Sequence, residues 1–347
     1  MDTQNTFLEI NLEKLKHNYH FFKQKIDKKT KIIPIIKASA YGSDASVIAK
    51  TLEKEGVELF AVAYLKEALA LKKSGITKSI IILYPQPGEL KQIIECRFEP
   101  VIYNDYLWNS FNKIYKNKEK YPLHLELNIG MNRIGFDFKN LQLFLNKAHL
   151  FPIEIKTIFA HLSNANEIEG KEKTQQQIQL FQKVKEYCQT IPHLQADYHL
   201  LNTSGTLLYN TAKYQWVRCG IGLYGFTNYS EWDKYLKPIA QLKTIIIQII
   251  TVEKGDSVGY SNGFIAPKKT KIATLPIGYA DGIDRNYGKK GGEVIVQKQK
   301  AKIIGNICMD LMMIDITNIK CQEGDEVEIF GTQHSAIKVA ETNNTIP

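Results

Sequence analysis

Lys37 closes an apolar run, Ile32-Ile33-Pro34-Ile35-Ile36, and is followed by Ala38-Ser39-Ala40-Tyr41-Gly42. A run of this kind reads as a strand buried on both faces. An amine at the mouth of such a strand is costly to desolvate, and burial lowers its pKa toward the range where it is nucleophilic. A lone lysine there more often snorkels to solvent, so its meaning depends on where the other apolar runs end. They lead to Asn132 and Arg133, to His161 and Asn164, to Asn202-Thr203-Ser204-Gly205, and to Arg218 with Gly220-Ile221-Gly222.

The chemistry of these residues is coherent if they share one face. Glycine-bearing turns with the hydroxyls of Thr203, Ser204 and Tyr41 can cradle a phosphate without a P-loop. Arginine makes directed, planar contacts to a carboxylate or to a ring nitrogen. An unprotonated lysine attacks a carbonyl to give a Schiff base. Phosphate, ring nitrogen and carbonyl together describe pyridoxal 5′-phosphate as the cofactor.

One face is what a (β/α)8 barrel supplies, because the carboxyl ends of its strands converge there. With the run before Lys37, apolar runs at 59–63, 79–83, 99–102, 123–128, 155–161, 198–202 and 216–218 complete a set of eight. Helical patterns lie between most of them: 66–74 ending at Gly75, 139–148, and 173–189 with Ile178, Phe181, Val184 and Cys188 on one side. Ahead of them, Leu12, Leu15, Tyr19, Phe22 and Ile26 step by three and four behind Asn11, and Asp44 is placed to cap the next helix. An open doubly wound sheet is the alternative.

After Lys237-Pro238 the pattern changes. A long β-branched run at 244–252 precedes shorter ones at 271–275, 292–296, 301–304, 312–316 and 326–330, divided by Gly or Asp turns and with no intervening helical pattern. The fold class expected is therefore α/β, with a barrel over residues 11–235. An all-β domain follows over 236–347, joined by the strand within residues 1–10.

Bulk properties narrow the function. At 347 residues, with 44% hydrophobic and 23% charged, the chain is of ordinary globular composition. No apolar run approaches the roughly 18 residues that would span a membrane. The polar start, Met1 to Asn5, lacks a basic-then-apolar signal, so the cytoplasm is expected. Five scattered cysteines form no CxxC pair, which argues against a zinc site or a disulfide framework, and Cys219 reads as a buried inert thiol. The net charge of +9 comes from lysine runs interleaved with acids and polar residues, which read as solvated faces; no nucleic-acid partner is expected.

Five motifs, KASAYG (37–42), GMNRIGF (130–136), RCGIGLYG (218–225), PIGYADG (276–282) and NICMD (306–310), occur in the order and spacing of one family. Over essentially its whole length the chain resembles the alanine racemases, pyridoxal phosphate enzymes with a barrel and a C-terminal β domain. PIGYADG with NICMD is highly specific; KASAYG alone is moderately so. The resemblance implies interconversion of L- and D-alanine, feeding peptidoglycan synthesis, in a homodimer.

By the same resemblance Lys37 carries the cofactor and is the base on one face of the substrate, and Tyr260 of a second copy is the base on the other. Arg218 faces the pyridine nitrogen and His161 supports it. Tyr41, Asn202, Thr203, Gly220 and Ile221 belong to the cofactor site, Arg133 and Met309 to the substrate, and Tyr279 and Arg285 to the entrance. Glu126 stands where many members carry a carbamylated lysine, so a carboxylate is expected to orient Arg133. Thr203 replaces a common serine and keeps the hydroxyl. The family pattern also continues beyond the position of Pro347, with a tyrosine on the cofactor phosphate.

Two other functions share parts of this pattern. A pyridoxal phosphate decarboxylase on the same barrel lacks PIGYADG and NICMD. A non-catalytic cofactor-binding barrel matches only the first half of the chain and lacks the domain that bears Tyr260.

Overall fold

The computed structural model describes residues 5–346 except 166, 168, 210, 211, 213 and 228. Two compact units emerge: Leu12–Lys237, and the segment through Asn11 together with the chain from Pro238 onward.

Strand β1 (Phe7–Ile10) precedes the barrel strands β2 (Lys31–Pro34), β3 (Leu59–Val62), β4 (Ser79–Ile82), β5 (Glu99–Ile102), β6 (Tyr121–Leu127), β7 (Ile153–Ala160), β8 (Asp197–His199) and β9 (Trp216–Cys219). The eight barrel strands are parallel in the order β2-β9-β8-β7-β6-β5-β4-β3. The ring closes where Ile35 bridges Ala61 and the Ile36 N–H donates to the Ala61 carbonyl at 3.0 Å. Both faces are covered, so β3 is buried at all four positions and reads as a continuous apolar run. Ile33, Ile35, Leu59, Ala61, Ile81, Leu83, Val101 and Phe159 pack together inside the barrel.

Helices return the chain between strands. Leu12–Lys25 buries Leu15, Tyr19 and Phe22, and Asp44 caps Ala45–Lys54 by accepting from the N–H groups of Ser46 and Val47. Two helices that periodicity did not single out, Leu90–Glu95 and Asp105–Ile114, complete the repeats; the second buries Leu107, Trp108 and Phe111.

The other unit is an eight-stranded sheet of antiparallel pairs. Its members are β1, β10 (Ala240–Ile245), β11 (Gln248–Val252), β14 (Thr270–Leu275), β15 (Glu293–Val296), β16 (Gln299–Ile304), β17 (Met312–Asp315) and β18 (Glu326–Phe330); β12 (Ser257–Val258) and β13 (Phe264–Ile265) form a separate ribbon. Its core gathers Leu275, Tyr287, Val294, Val296, Met312, Ile314 and Ile329. One expectation is corrected here. The run at 244–252 is not one strand: Ile246 donates to Asp325 and Ile247 to Thr274, and the chain passes from pairing β18 to pairing β14. After β18 the antiparallel β domain adds a short helix, Ala336–Asn343, capped by Ser335. Among the described residues no helix is long and apolar enough to cross a membrane.

Candidate active site

A cavity of about 230 Å³ opens among the ends of the barrel strands. The nine barrel residues that the resemblance assigns to cofactor or substrate line it: Lys37, Tyr41, Arg133, His161, Asn202, Thr203, Arg218, Gly220 and Ile221; Asn132 and Asn164, also named at strand ends, are not among the lining residues. Ile35, Leu83, Tyr84, Glu126, Phe159 and Ser204 complete the wall.

Lys37 is not the last residue of its strand. It begins a turn, Lys37–Gly42, in which Ala38, Ser39, Ala40 and Tyr41 all have φ between 51° and 57°. Four consecutive non-glycine residues in the left-handed region cost about 1–2 kcal/mol each, so the surroundings must hold them. Glu67 does so. One carboxylate oxygen accepts from the Ala38 N–H at 2.6 Å, while the other accepts from Ala63 and Tyr64 at 2.8 and 3.1 Å, which ties the turn to the end of β3. Burial, then the charge of Arg133, lowers the pKa of Lys37, opposed by Glu67. A larger fraction of the amine is thereby neutral and nucleophilic.

Opposite lies a set of donors. The Thr203 hydroxyl oxygen accepts from the backbone N–H of Gly220 at 3.2 Å and of Gly222 at 3.4 Å, so its own proton is left to donate. A Cβ at Gly220 would run into the Tyr41 hydroxyl, so only glycine lets these groups close on one another. Burial, and secondarily Tyr84, pushes Tyr41 up to about 12, which keeps it a donor. The side chain of Asn202 is engaged structurally: its oxygen accepts from the Gly205 N–H at 2.9 Å and caps the helix Thr203–Leu208. The Ser204 hydroxyl donates to the Thr227 carbonyl.

Arg218, 4% exposed, is held from several sides. Nη2 donates to the carbonyls of Ala160 at 2.6 Å and Leu200 at 3.1 Å, and Nη1 to the carbonyl of His199 at 3.3 Å and to its Nδ1 at 2.5 Å. His161, named from the sequence as the supporting histidine, is the more distant partner at 3.4 Å. His199 is the nearer one. It sits within β8 beside Tyr198, and its signal, an inward histidine one strand from a buried arginine, appears only once the strands are paired. Burial first, then Arg218, Arg133 and Lys37, lowers His161 to about 3, so it is neutral. Burial brings Arg218 down to about 10, which still leaves it a cation. Cys219 is fully buried and its thiol is pushed well up, as expected of an inert packing residue.

Glu126, 4% exposed, faces Arg133 with Oε1 at 4.0 Å from Nη2, and its Oε2 has no hydrogen-bond partner among the described residues. Burial raises it to about 7, against the opposing pull of Arg218 and Arg133. Arg133 also lies over the ring of Tyr84, a wall residue that the sequence reading passed over although it follows β4 by two positions. An amine that loses its proton readily, a donor cradle closed by glycine, a guanidinium held through both Nη nitrogens and a second arginine are together the donor set that pyridoxal phosphate with an amino acid requires. The residues present fit that group.

The remaining expected residues lie in the β unit, where the PIGYADG and NICMD motifs meet and the turn bearing Tyr260 joins them. The Tyr260 carbonyl accepts from the Asn306 side-chain amide at 2.8 Å. Tyr279 and Ala280 donate their N–H groups to the carbonyls of Cys308 and Met309 at 3.0 and 2.9 Å. A Cβ at Gly278 would collide with those same two carbonyls. Arg285 lies 5.8 Å from the Tyr279 ring, and Tyr260 and Met309 are 68% and 54% exposed.

Comparison with known proteins agrees over the full length. The family model for the alanine racemase N-terminal domain matches residues 10–228, and that for the C-terminal domain matches residues 239–347. An alanine racemase from Geobacter sp. strain M21 is 31% identical, covering 100% of this chain and 95% of its own; one from Clostridium tetani is 35% identical, covering 95% and 87%. Among solved structures, alanine racemase from Clostridium difficile 630 superposes with a TM-score of 0.94 at 32% identity, covering 100% of this chain and 92% of its own. The Bartonella henselae enzyme with covalently bound pyridoxal phosphate superposes with a TM-score of 0.90 at 28% identity, covering 99% and 95%. Matched by both domain models and by whole-length relatives, and carrying a cavity furnished for its cofactor, the chain belongs to the alanine racemase family, whose members depend on pyridoxal phosphate.

Proposed function

We propose that racemisation of alanine, the reaction of the family, runs here on two bases, Lys37 of one chain and Tyr260 of a second copy. The observation that carries this reading is Lys37 with a lowered pKa in one cavity with Arg133, Thr203 and Arg218. Bound pyridoxal phosphate supplies an electron-withdrawing ring that acidifies the substrate Cα–H. Thr203, Tyr41 and the Gly220 and Ile221 backbone hold its phosphate, and Arg218 donates to its ring nitrogen. A guanidinium that stays protonated donates a hydrogen bond without surrendering the proton, so the ring is a restrained electron sink. Arg133 binds the substrate carboxylate, and Glu126 orients Arg133.

Inversion needs a proton removed on one face and delivered on the other. Lys37 is the base within the barrel. The large exposed side chains of Tyr260 and Met309, on a β unit whose motif loops are fixed to one another, are suited to cover by a second copy, which makes the active species a homodimer. Tyr279 and Arg285 line the entrance in this arrangement. The D-alanine so formed supplies peptidoglycan synthesis in the cytoplasm.

Hybrid complementation tests the arrangement. K37A and Y260F are each expected to lose alanine racemisation, and a mixture of the two, unfolded and refolded together, is expected to recover it. Half of the dimers formed are hybrids, and each hybrid holds one site with both bases intact. A mixture as inactive as its parents would refute the crossing of Tyr260.

A further inference from the structure

Five buried polar side chains on five successive barrel strands form one line: Glu99 on β5, His124 on β6, Thr157 on β7, His199 on β8 and Arg218 on β9. None is more than 7% exposed, and Arg218 alone among them lines the cavity. Arg218 Nη1 is 2.5 Å from His199 Nδ1, and His199 Nε2 is 2.9 Å from the Thr157 hydroxyl. That hydroxyl is 2.7 Å from His124 Nδ1, and His124 Nε2 is 2.8 Å from Glu99 Oε2.

The two ends set the direction of every proton between them. A guanidinium can only donate, so Nδ1 of His199 accepts. Burial, then the charge of Arg218, holds the His199 pKa far below the ordinary histidine value, so the ring is neutral and its proton sits on Nε2. That proton goes to the Thr157 oxygen, and the Thr157 proton goes to Nδ1 of His124. His124 then carries its own proton on Nε2, aimed at the carboxylate. Burial alone would raise Glu99, but the hydrogen bond from His124, helped by Ser79 and Lys156, more than offsets it and the carboxyl lies below its usual value, so Glu99 is an anion. The line therefore runs donor to acceptor from cation to anion with no conflicting contact.

The interior of such a barrel is ordinarily filled by branched apolar side chains, and a buried polar line of this kind adds little stability over an apolar filling. Its effect is on the group at its end. An acceptor backed by a carboxylate is more basic, so His199 fixes the plane of the guanidinium and favours its charged form. We propose that Glu99, His124 and Thr157 are positioning residues that, through His199, hold Arg218 in one orientation and keep it a donor toward the ring nitrogen of the bound cofactor. This rests on the reading of Arg218 given above.

T157V removes the hydroxyl at constant shape, T157S restores it, and E99Q keeps an acceptor oxygen while removing the charge; R218K is the control. In the holoenzyme, proton–nitrogen NMR of the imidazoles is expected to show slowly exchanging Nε2–H signals for both His124 and His199. T157V is expected to shift or lose both, and T157S to return them. The visible absorption band of the bound cofactor, or the pH at which it titrates, is expected to move in T157V, in E99Q and most in R218K. The kcat for alanine should fall about tenfold in T157V, the effect of losing one strong hydrogen bond, with KM unchanged because Arg133 is untouched. A His199 or His124 protonated on Nδ1 in the wild type overturns the line. Wild-type cofactor spectra in T157V and E99Q beside a shifted R218K overturn the relay alone. An unshifted R218K overturns the placement of the ring at Arg218, and the proposal with it.

Discussion

Replacing Glu126 with glutamine should change how stability depends on pH, and the size of the change follows from the site. Burial raises Glu126 from 4.5 to about 7 despite the two nearby arginines. Between those values the folded chain keeps a proton that the unfolded chain has released. The contribution of this group to stability is therefore complete below pH 4.5 and is lost as the pH rises through about 7. At 1.36 kcal/mol per pKa unit, the loss is about 1 kcal/mol at about pH 5.5 and about 3 kcal/mol at about pH 8. Glutamine has no proton to lose and leaves the shape of the side chain in place. The stability of cofactor-free E126Q, measured by urea unfolding, should gain on the wild type by about 2 kcal/mol between those two pH values. Parallel curves would refute the assignment of the raised pKa to this buried carboxyl. In the holoenzyme the same variant loses the charge that faces Arg133 at 4.0 Å. KM for alanine is expected to rise, and an unchanged KM would mean that Glu126 does not orient that arginine.

Two further substitutions probe the cavity. G220A puts a methyl group where the Tyr41 hydroxyl now lies, so affinity for pyridoxal phosphate should drop at least about tenfold with the fold retained; an absorbance titration that gives wild-type affinity would contradict the cradle. E67A frees the Ala38 N–H and with it the left-handed turn that begins at Lys37. Capture of the cofactor by Lys37, read as a borohydride-reducible adduct, should fall several-fold while circular dichroism stays native, and undiminished capture would show that the turn holds without Glu67.

Much of the site was legible because it is written locally. Lys37, Thr203, Arg218 and Gly220 each stand at or just beyond an apolar run, and in a parallel barrel that position alone brings them to one end. The eight runs were legible for the same reason, since strands covered on both faces read as unbroken apolar stretches. What lay outside that reach depends on partners remote in the chain. The helix Asp105–Ile114 is short, and its buried face, Leu107, Trp108 and Phe111, is too brief a pattern to stand out. The run at 244–252 is uniformly β-branched, so nothing in its composition marks where it changes partners.

The sequence by itself determined which groups are available: one lysine after a buried strand, two arginines, a hydroxyl beside paired glycines, and a tyrosine in a separate β unit. The tertiary structure alone decided what those groups become. It turns Ala38 to Tyr41 left-handed by a carboxylate 29 residues away, and it gives Arg218 its nearer histidine from the adjacent strand. It also lifts Glu126 to about 7 by closing the barrel around it. Propensity and periodicity act between residues a few positions apart, whereas strain, desolvation and directed hydrogen bonds belong to the groups that folding brings together.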